Sequence, residues 1–325
     1  SLNPHKSVGL DNIGPRFLKD GANILKKPVT SIINLSILSN TVPDELKAAR
    51  VTPLHKKNSK LDVGNYRPIS ILCTMSKILE KSVHCQIIKY LNENDLLYNY
   101  QSGFRESFST ETCLTWLTDY IREQSSKGYY TGMVMLDVQK AFDSVDHSIL
   151  CNKLFYMGIQ SDWFKSYLSG RRQIVSVNEC NSSPLDITCG VPQGSILGPL
   201  LYLCYVNDMS ISVSQKCTLL LYADDSILLI SDKDPKIISE QLGKELESCY
   251  DWLIDNKLSL HFGKTECMIF GSKRKLRLVK DFSIKCKDHV IKSQKTVKYL
   301  GLLLDQDLSG TSIVNSIIKK SNSKL

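Results

Sequence analysis

The chain has 325 residues, 42% hydrophobic and 23% charged, with a formal net charge of +8. This length suits roughly two domains or one large lobed unit, and the composition excludes wholesale disorder, collagen and coiled coil. No apolar run reaches the roughly 18 residues that cross a bilayer; the longest, Ile196 to Val206, is broken by Gly198 and Pro199, and no membrane partner is expected.

In chain order, residues 16–40 place Phe17, Leu18, Ile24, Leu25, Val29, Ile32, Ile33 and Leu35 at helical spacing, and Pro28 is expected to split them into two helices. Thr41-Val42-Pro43-Asp44 reads as a turn and Arg50 to Leu54 as a short strand. Asn65-Tyr66-Arg67-Pro68-Ile69 is extended, because the residue before Pro avoids the helical region. Helices follow through Lys77 to Leu91 and from Thr110 to Gln124. Tyr130 to Val138 is a strand apolar on both faces, followed by a helix from about Asp146 to Met157 and a strand over Ile174 to Val177. Ser195 to Asp208 is apolar and helical. Leu219 to Ala223 and Ser226 to Ile230 read as two buried strands, Pro235 to Asn256 as a long amphipathic helix, and Glu266 to Phe270 and Val297 to Leu304 as short strands. Mixed helices and strands without repeats indicate an α+β core with a helical amino-terminal lobe.

The eleven cysteines include no Cys-x-x-Cys pair, which argues against a zinc ribbon or redox dithiol. Cys73, Cys85, Cys204 and Cys217 lie in apolar runs and read as core residues of a protein in a reducing compartment. The chain opens on Ser1 with no Met and no secretory core, so a piece of a longer intracellular protein is expected. Between Lys264 and Lys298 eleven Lys or Arg stand against three acids, an excess equal to that of the whole chain. A solvated lysine-rich hairpin and a phosphate-facing surface are both consistent with this; the second cluster, His55-Lys56-Lys57-Asn58-Ser59-Lys60, favours nucleic acid.

Asp224 and Asp225 are adjacent and flanked by apolar strands. Two neighbouring carboxylates in a buried setting repel each other and lose hydration. A solvated hairpin tip would explain them, but the flanks show little polar alternation, and a divalent cation with oxygen ligands would neutralise the pair. Asp137 ends another buried-looking strand and supplies a third carboxylate, as a two-metal phosphoryl-transfer site requires. Asp143 and Asp146, six and nine residues later, read as caps or orienting groups for the next helix. Gly263-Lys264-Thr265 is not a P-loop, since position 258 is Leu258 rather than Gly.

Leu136-Asp137-Val138-Gln139-Lys140-Ala141-Phe142-Asp143-Ser144-Val145-Asp146-His147 resembles motif A of reverse transcriptases, Gly190-Val191-Pro192-Gln193-Gly194-Ser195-Ile196-Leu197-Gly198-Pro199-Leu200 motif B, and Tyr222-Ala223-Asp224-Asp225 motif C. Asn65 to Ser70 and Gln101-Ser102-Gly103-Phe104-Arg105 resemble finger motifs, Lys264-Thr265 motif D, and Val297-Lys298-Tyr299-Leu300-Gly301 the primer grip. Their form and order, from about residue 8 to residue 305, resemble non-LTR (LINE-type) retrotransposons of the jockey/CR1-like group.

The resemblance implies an α+β right-hand polymerase fold with helical fingers, an antiparallel-sheet palm with packed helices and most of the thumb missing. Fingers with part of the palm would span 1–130, the palm 131–308 with 170–200 partly in the fingers, and the start of a thumb 309–325. It implies an RNA-directed DNA polymerase that extends a DNA primer on an RNA template, the element's own RNA among its partners, with dNTPs and two Mg²⁺ ions for which Mn²⁺ can substitute. Asp137, Asp224 and Asp225, with the backbone carbonyl of Val138, would hold the metals. Phe142 matches the aromatic steric gate that clashes with a 2′-OH, and Gln193 with Gly194 the nucleotide and template contact. Arg67, with Lys56 or Lys57, would grip the triphosphate, Lys264 would act as general acid toward pyrophosphate, and Tyr299, Leu300 and Gly301 would form the primer grip. His261 departs from the family's usual Asn. Action in cytoplasm and nucleus is expected, and an inert nucleic-acid-binding relic is the alternative reading.

Overall fold

The protein, described from a computed structural model, is seen over residues 2–56, 58–178 and 180–322. Helix α1 (Pro15–Asp20) starts with Pro, whose missing N–H is harmless at the first helical position. It ends at Gly21, and α2 (Ala22–Leu38) continues through Pro28. The expected break therefore falls seven residues early. Pro28 and Ile24 are both exposed, so water can reach the carbonyl that loses its donor.

There follow β1 (Ala48–His55), β2 (Tyr66–Leu72), α3 (Thr74–Glu93), α4 (Thr110–Ser126), β3 (Tyr130–Asp137), α5 (His147–Tyr156) and α6 (Asp162–Leu168). Then come β4 (Arg172–Val177), β5 (Cys180–Asn181), β6 (Leu185–Asp186), α7 (Leu197–Val206), β7 (Thr218–Tyr222), β8 (Asp225–Asp232) and α8 (Pro235–Asp255). The chain closes with β9 (Glu266–Phe270), α9 (Lys273–Leu276), β10 (Ser283–Cys286), β11 (His289–Lys292), β12 (Thr296–Tyr299), β13 (Leu302–Asp305) and α10 (Thr311–Asn322). The stretch expected as one strand over 297–304 is a hairpin, because Leu300 and Gly301 both take positive φ, 45° and 87°. Helix starts follow side-chain chemistry: Ser109 and Thr112 form a capping box on α4, and Asp146 accepts from the Ile149 amide on α5.

The chain forms two compact units, each assembled from two stretches: 1–97 with 142–205, and 98–141 with 206–325. The first unit combines helices with the strands expected over Arg50–Leu54 and Ile174–Val177. It holds a five-stranded mixed sheet, in which β1 pairs antiparallel with β2 and parallel with β4. The parallel pair joins residues more than 120 positions apart (Ala48 with Arg172), a pairing that no local periodicity announces.

The second unit centres on the antiparallel sheet β7-β8-β3-β9. One face carries Met133, Ile227, Leu229, Met268 and Phe270, packed with Cys113, Leu117 and Ile121 of α4 and with Val297, Tyr299 and Leu304 of the β12–β13 hairpin. Successive strand residues point to opposite faces, so Gly132 faces α8. A Cβ on Gly132 would lie 2.3 Å from Ile238 Cγ2 and 2.6 Å from Leu242 Cδ1. Helices on both faces explain why β3, β7 and β8 are continuously apolar rather than alternating. Each large side chain so buried contributes about 1.5–3 kcal/mol.

Candidate active site

The three aspartates come together because of strand register. In the second unit β8 lies between β7 and β3, and Asp225 pairs with Tyr222 on one side and Asp137 on the other. Asp224 occupies the two-residue turn between β7 and β8, next to Ala223 at φ 57°. The protein packed around Asp225, reinforced by the negative charges of Asp224 and Asp137, lifts its carboxyl to about 6. A carboxyl raised by burial beside two further carboxylates marks a locus that a hard cation would relieve. Among the described residues no His, Cys, Asp and Glu side chains close into a ready-made metal cage, so further ligands would have to come from phosphate and water, the usual arrangement for Mg²⁺.

The end of β3 is held from outside the sheet. The amide of His261 donates to the Asp137 carbonyl at 2.8 Å, and that of Gln139 to the Ser259 carbonyl at 2.8 Å, so the pairing passes on either side of Val138. His261 contributes through its backbone, which explains how a residue other than Asn serves there. Lys264 Nζ lies 3.5 Å from Asp137 Oδ2. Both side chains are well exposed, so the pair adds less than about 1 kcal/mol to stability.

Behind the Asp224 turn lies the segment 98–105, which packs in the second unit. Ser102 donates its amide to Leu221 O at 2.8 Å, and Leu221 donates to Tyr100 O at 3.0 Å. These bonds form a parallel bridge of Gln101 with Leu221 on the free edge of β7. This pairing is long-range, while the motif itself carries only a turn signal.

The first unit positions motif B and the end of motif A. Asp143 does not cap α5; its Oδ1 accepts from Gln193 Nε2 at 2.8 Å, and Asp146 alone takes the cap. Gly190 (φ 85°) lies so close to Asp143 that a Cβ would meet its carbonyl oxygen at 2.7 Å, and Val191 N donates to Phe142 O at 2.8 Å. The Phe142 ring stacks on buried Tyr202 with centroids 4.7 Å apart. Ser70 of β2 donates its amide to Gln193 O at 2.7 Å, and Gly194 (φ 114°) sits against Ser70 O, where a Cβ would come within 2.6 Å. Arg67 and Lys56 are exposed on and beside β2; Lys57 lies outside the described residues. Tyr299 is 1% exposed and its hydroxyl meets Cys113 Sγ at 3.7 Å, so its ring anchors the hairpin whose tip is Leu300-Gly301.

Sequence reasoning passed over Glu80. It is fully buried on α3, accepts from Tyr167 Oη at 2.8 Å and from the Ile196 amide at 2.6 Å, and lies in the field of buried Arg171. Burial drives its carboxyl upward. The available signal was periodicity: Ser76, Leu79, Glu80, Val83, Ile87 and Leu91 form one buried stripe of α3, and a carboxylate within it must be partnered.

A family model described as "Reverse transcriptase (RNA-dependent DNA polymerase)" matches residues 54–304. The chain is 31% identical over 95% of its length to the "Probable RNA-directed DNA polymerase from transposon BS" of Drosophila melanogaster. It is 28% identical over 97% to the "RNA-directed DNA polymerase from mobile element jockey" of Drosophila funebris, and 26% over 91% to the corresponding X-element protein of Drosophila melanogaster. It covers 35%, 35% and 33% of those proteins, so it spans about a third of the length of these relatives.

Proposed function

The chain belongs to the reverse transcriptase (RNA-dependent DNA polymerase) family, in its non-LTR retrotransposon form, and on that premise we propose that it extends a DNA primer on an RNA template with dNTPs. The observation that carries the reading is the set of Asp137, Asp224 and Asp225 at adjoining strand ends, with the Asp225 carboxyl raised to about 6 by its surroundings and the other two charges. In this reading residues 1–130 are fingers with part of the palm, 131–308 the palm with 170–200 partly in the fingers, and 309–325 the start of a thumb.

Asp137, Asp224, Asp225 and the Val138 carbonyl would hold two Mg²⁺ ions, or Mn²⁺ in their place, which when bound supply charge neutralisation for the attacking oxygen and the pyrophosphate leaving group. Lys264, within 3.5 Å of Asp137, donates a proton to the leaving pyrophosphate. Phe142, its ring held by Tyr202, excludes the 2′-OH of a ribonucleotide. Gln193, fixed through Asp143, contacts the nucleotide, and the backbone freedom of Gly194 allows close approach. Arg67, with Lys57 or Lys56, binds triphosphate oxygens. The Leu300-Gly301 tip contacts the primer backbone, with Tyr299 as its buried anchor.

Primer extension on an RNA template with Mg²⁺ and dNTPs tests this. Wild type should extend, and the double variant Asp224→Asn/Asp225→Asn should not. Extension by both would refute the site; extension by neither, with primer–template still bound, would favour an inert nucleic-acid-binding chain.

A further inference from the structure

We infer that Gln101 is a positioning residue for the Asp224 turn, an inference that rests on the reading of Asp224 and Asp225 as catalytic. Gln101 is 1% exposed, and its Oε1 accepts from two backbone amides, Gly103 at 2.8 Å and Ala223 at 3.2 Å. Both neighbours are donors, so the oxygen, not the nitrogen, must face them. Nε2 then lies buried without a hydrogen-bond partner among the described residues. A buried unpaired donor is unfavourable, and a hydrophobic residue of the same length would avoid it. What Gln101 supplies in return is an acceptor for the turn.

The turn needs that acceptor. In a two-residue hairpin the pairing of Tyr222 with Asp225 leaves the Ala223 amide outside the ladder. Ala223 also sits at φ 57°, a conformation that L residues other than Gly, Asn and Asp seldom adopt. The Gln101 oxygen ties down this strained residue immediately before Asp224. Gly103 completes the clamp from the same segment: its backbone lies so close that a Cβ would stand 2.3 Å from Ala223 N. The bridge between Gln101 and Leu221 fixes the clamp to the same strand that carries the turn. A side chain far along the chain from the aspartates thus sets the backbone on which Asp224 is mounted.

The test compares Gln101→Met, which keeps length and removes the acceptor, with Gln101→Glu, which keeps an acceptor oxygen. The first readout is amide hydrogen exchange at Ala223 and Gly103. Gln101→Met should lose protection at both amides and Gln101→Glu should keep it. The second readout is steady-state primer extension. Gln101→Met should lower kcat by about 10–100-fold, the scale of a small misplacement of a reacting group, while KM for dNTP and the melting temperature stay near wild type. Wild-type protection in Gln101→Met, or an activity loss no greater than its loss of folded protein, overturns the inference. If Gln101→Met does not fold, Gly103→Ala presses on Ala223 while keeping the Gln101 side chain, and an unchanged kcat there overturns it equally. Should wild type extend no primer, the catalytic reading fails, and the exchange measurement still decides whether Gln101 holds the turn.

Discussion

Replacing Asp225 by Asn should make the protein more stable at neutral pH while removing its activity. The Asp225 carboxyl rises from its ordinary value of 3.8 to about 6, chiefly through the protein packed around it and then through Asp224 and Asp137. Between those values the folded state holds a proton that the unfolded chain has released, so stability falls as pH climbs through this window. Above it the wild type carries the whole penalty, and below it none. The gap, at about 1.36 kcal/mol per pH unit, sets a ceiling of about 3 kcal/mol. Because the Asp225 residue is exposed, solvent screening reduces this to about 1 kcal/mol. Urea unfolding of wild type and Asp225→Asn at a series of pH values would measure it. The variant's advantage should be absent near pH 4, grow to about pH 6 and then level off. Added Mg²⁺ should stabilise the wild type by mass action and narrow the difference. A variant less stable than wild type at pH 7, or a difference independent of pH, would refute the electrostatic account of the cluster.

Three further outcomes follow from the packing. Glu80→Ala should cost about 1–3 kcal/mol in urea unfolding, because it leaves the buried Tyr167 hydroxyl and the Ile196 amide without their acceptor; Glu80→Gln, which keeps size and an acceptor, should cost less. Gly132→Val should destabilise by about 1–3 kcal/mol in the same assay, since its Cβ would strike Ile238 and Leu242 of α8. Phe142→Val should raise ribonucleotide incorporation relative to dNTP in single-nucleotide extension, with DNA synthesis retained; an unchanged ratio would remove Phe142 from sugar discrimination.

Much of the second unit was legible because its signals are local. The apolar runs around Asp137 and Asp224-Asp225 announce strands buried on both faces, and carboxylates at their ends stand out against that background. The helices α3, α4 and α8 follow their apolar spacing to within a few residues. What escaped depends on partners distant in the chain. The parallel pairing of β1 with β4 spans more than 120 residues. Asp143 looks like a cap from its spacing, yet it serves Gln193, fifty positions away. The β12–β13 turn was hidden because Leu300 takes a positive φ without being Gly, Asn or Asp. Pro28 misled for the converse reason, since an exposed helix tolerates what a buried one would not.

The two-residue connection between Tyr222 and Asp225 makes chain length, as well as chemistry, a determinant of this site. Side chains on a strand alternate faces with every residue, so a slip of one position sends each to the opposite side of the sheet. One residue inserted at Ala223 would have to be absorbed as a bulge or would shift Asp225 out of register with Asp137. Insertions of the same size in the loop between β8 and α8, or between β10 and β11, would leave that pairing untouched. Tolerance to insertion and deletion should therefore dip sharply at this hairpin, and a length-scanning library would locate the aspartate cluster without altering one of its carboxylates.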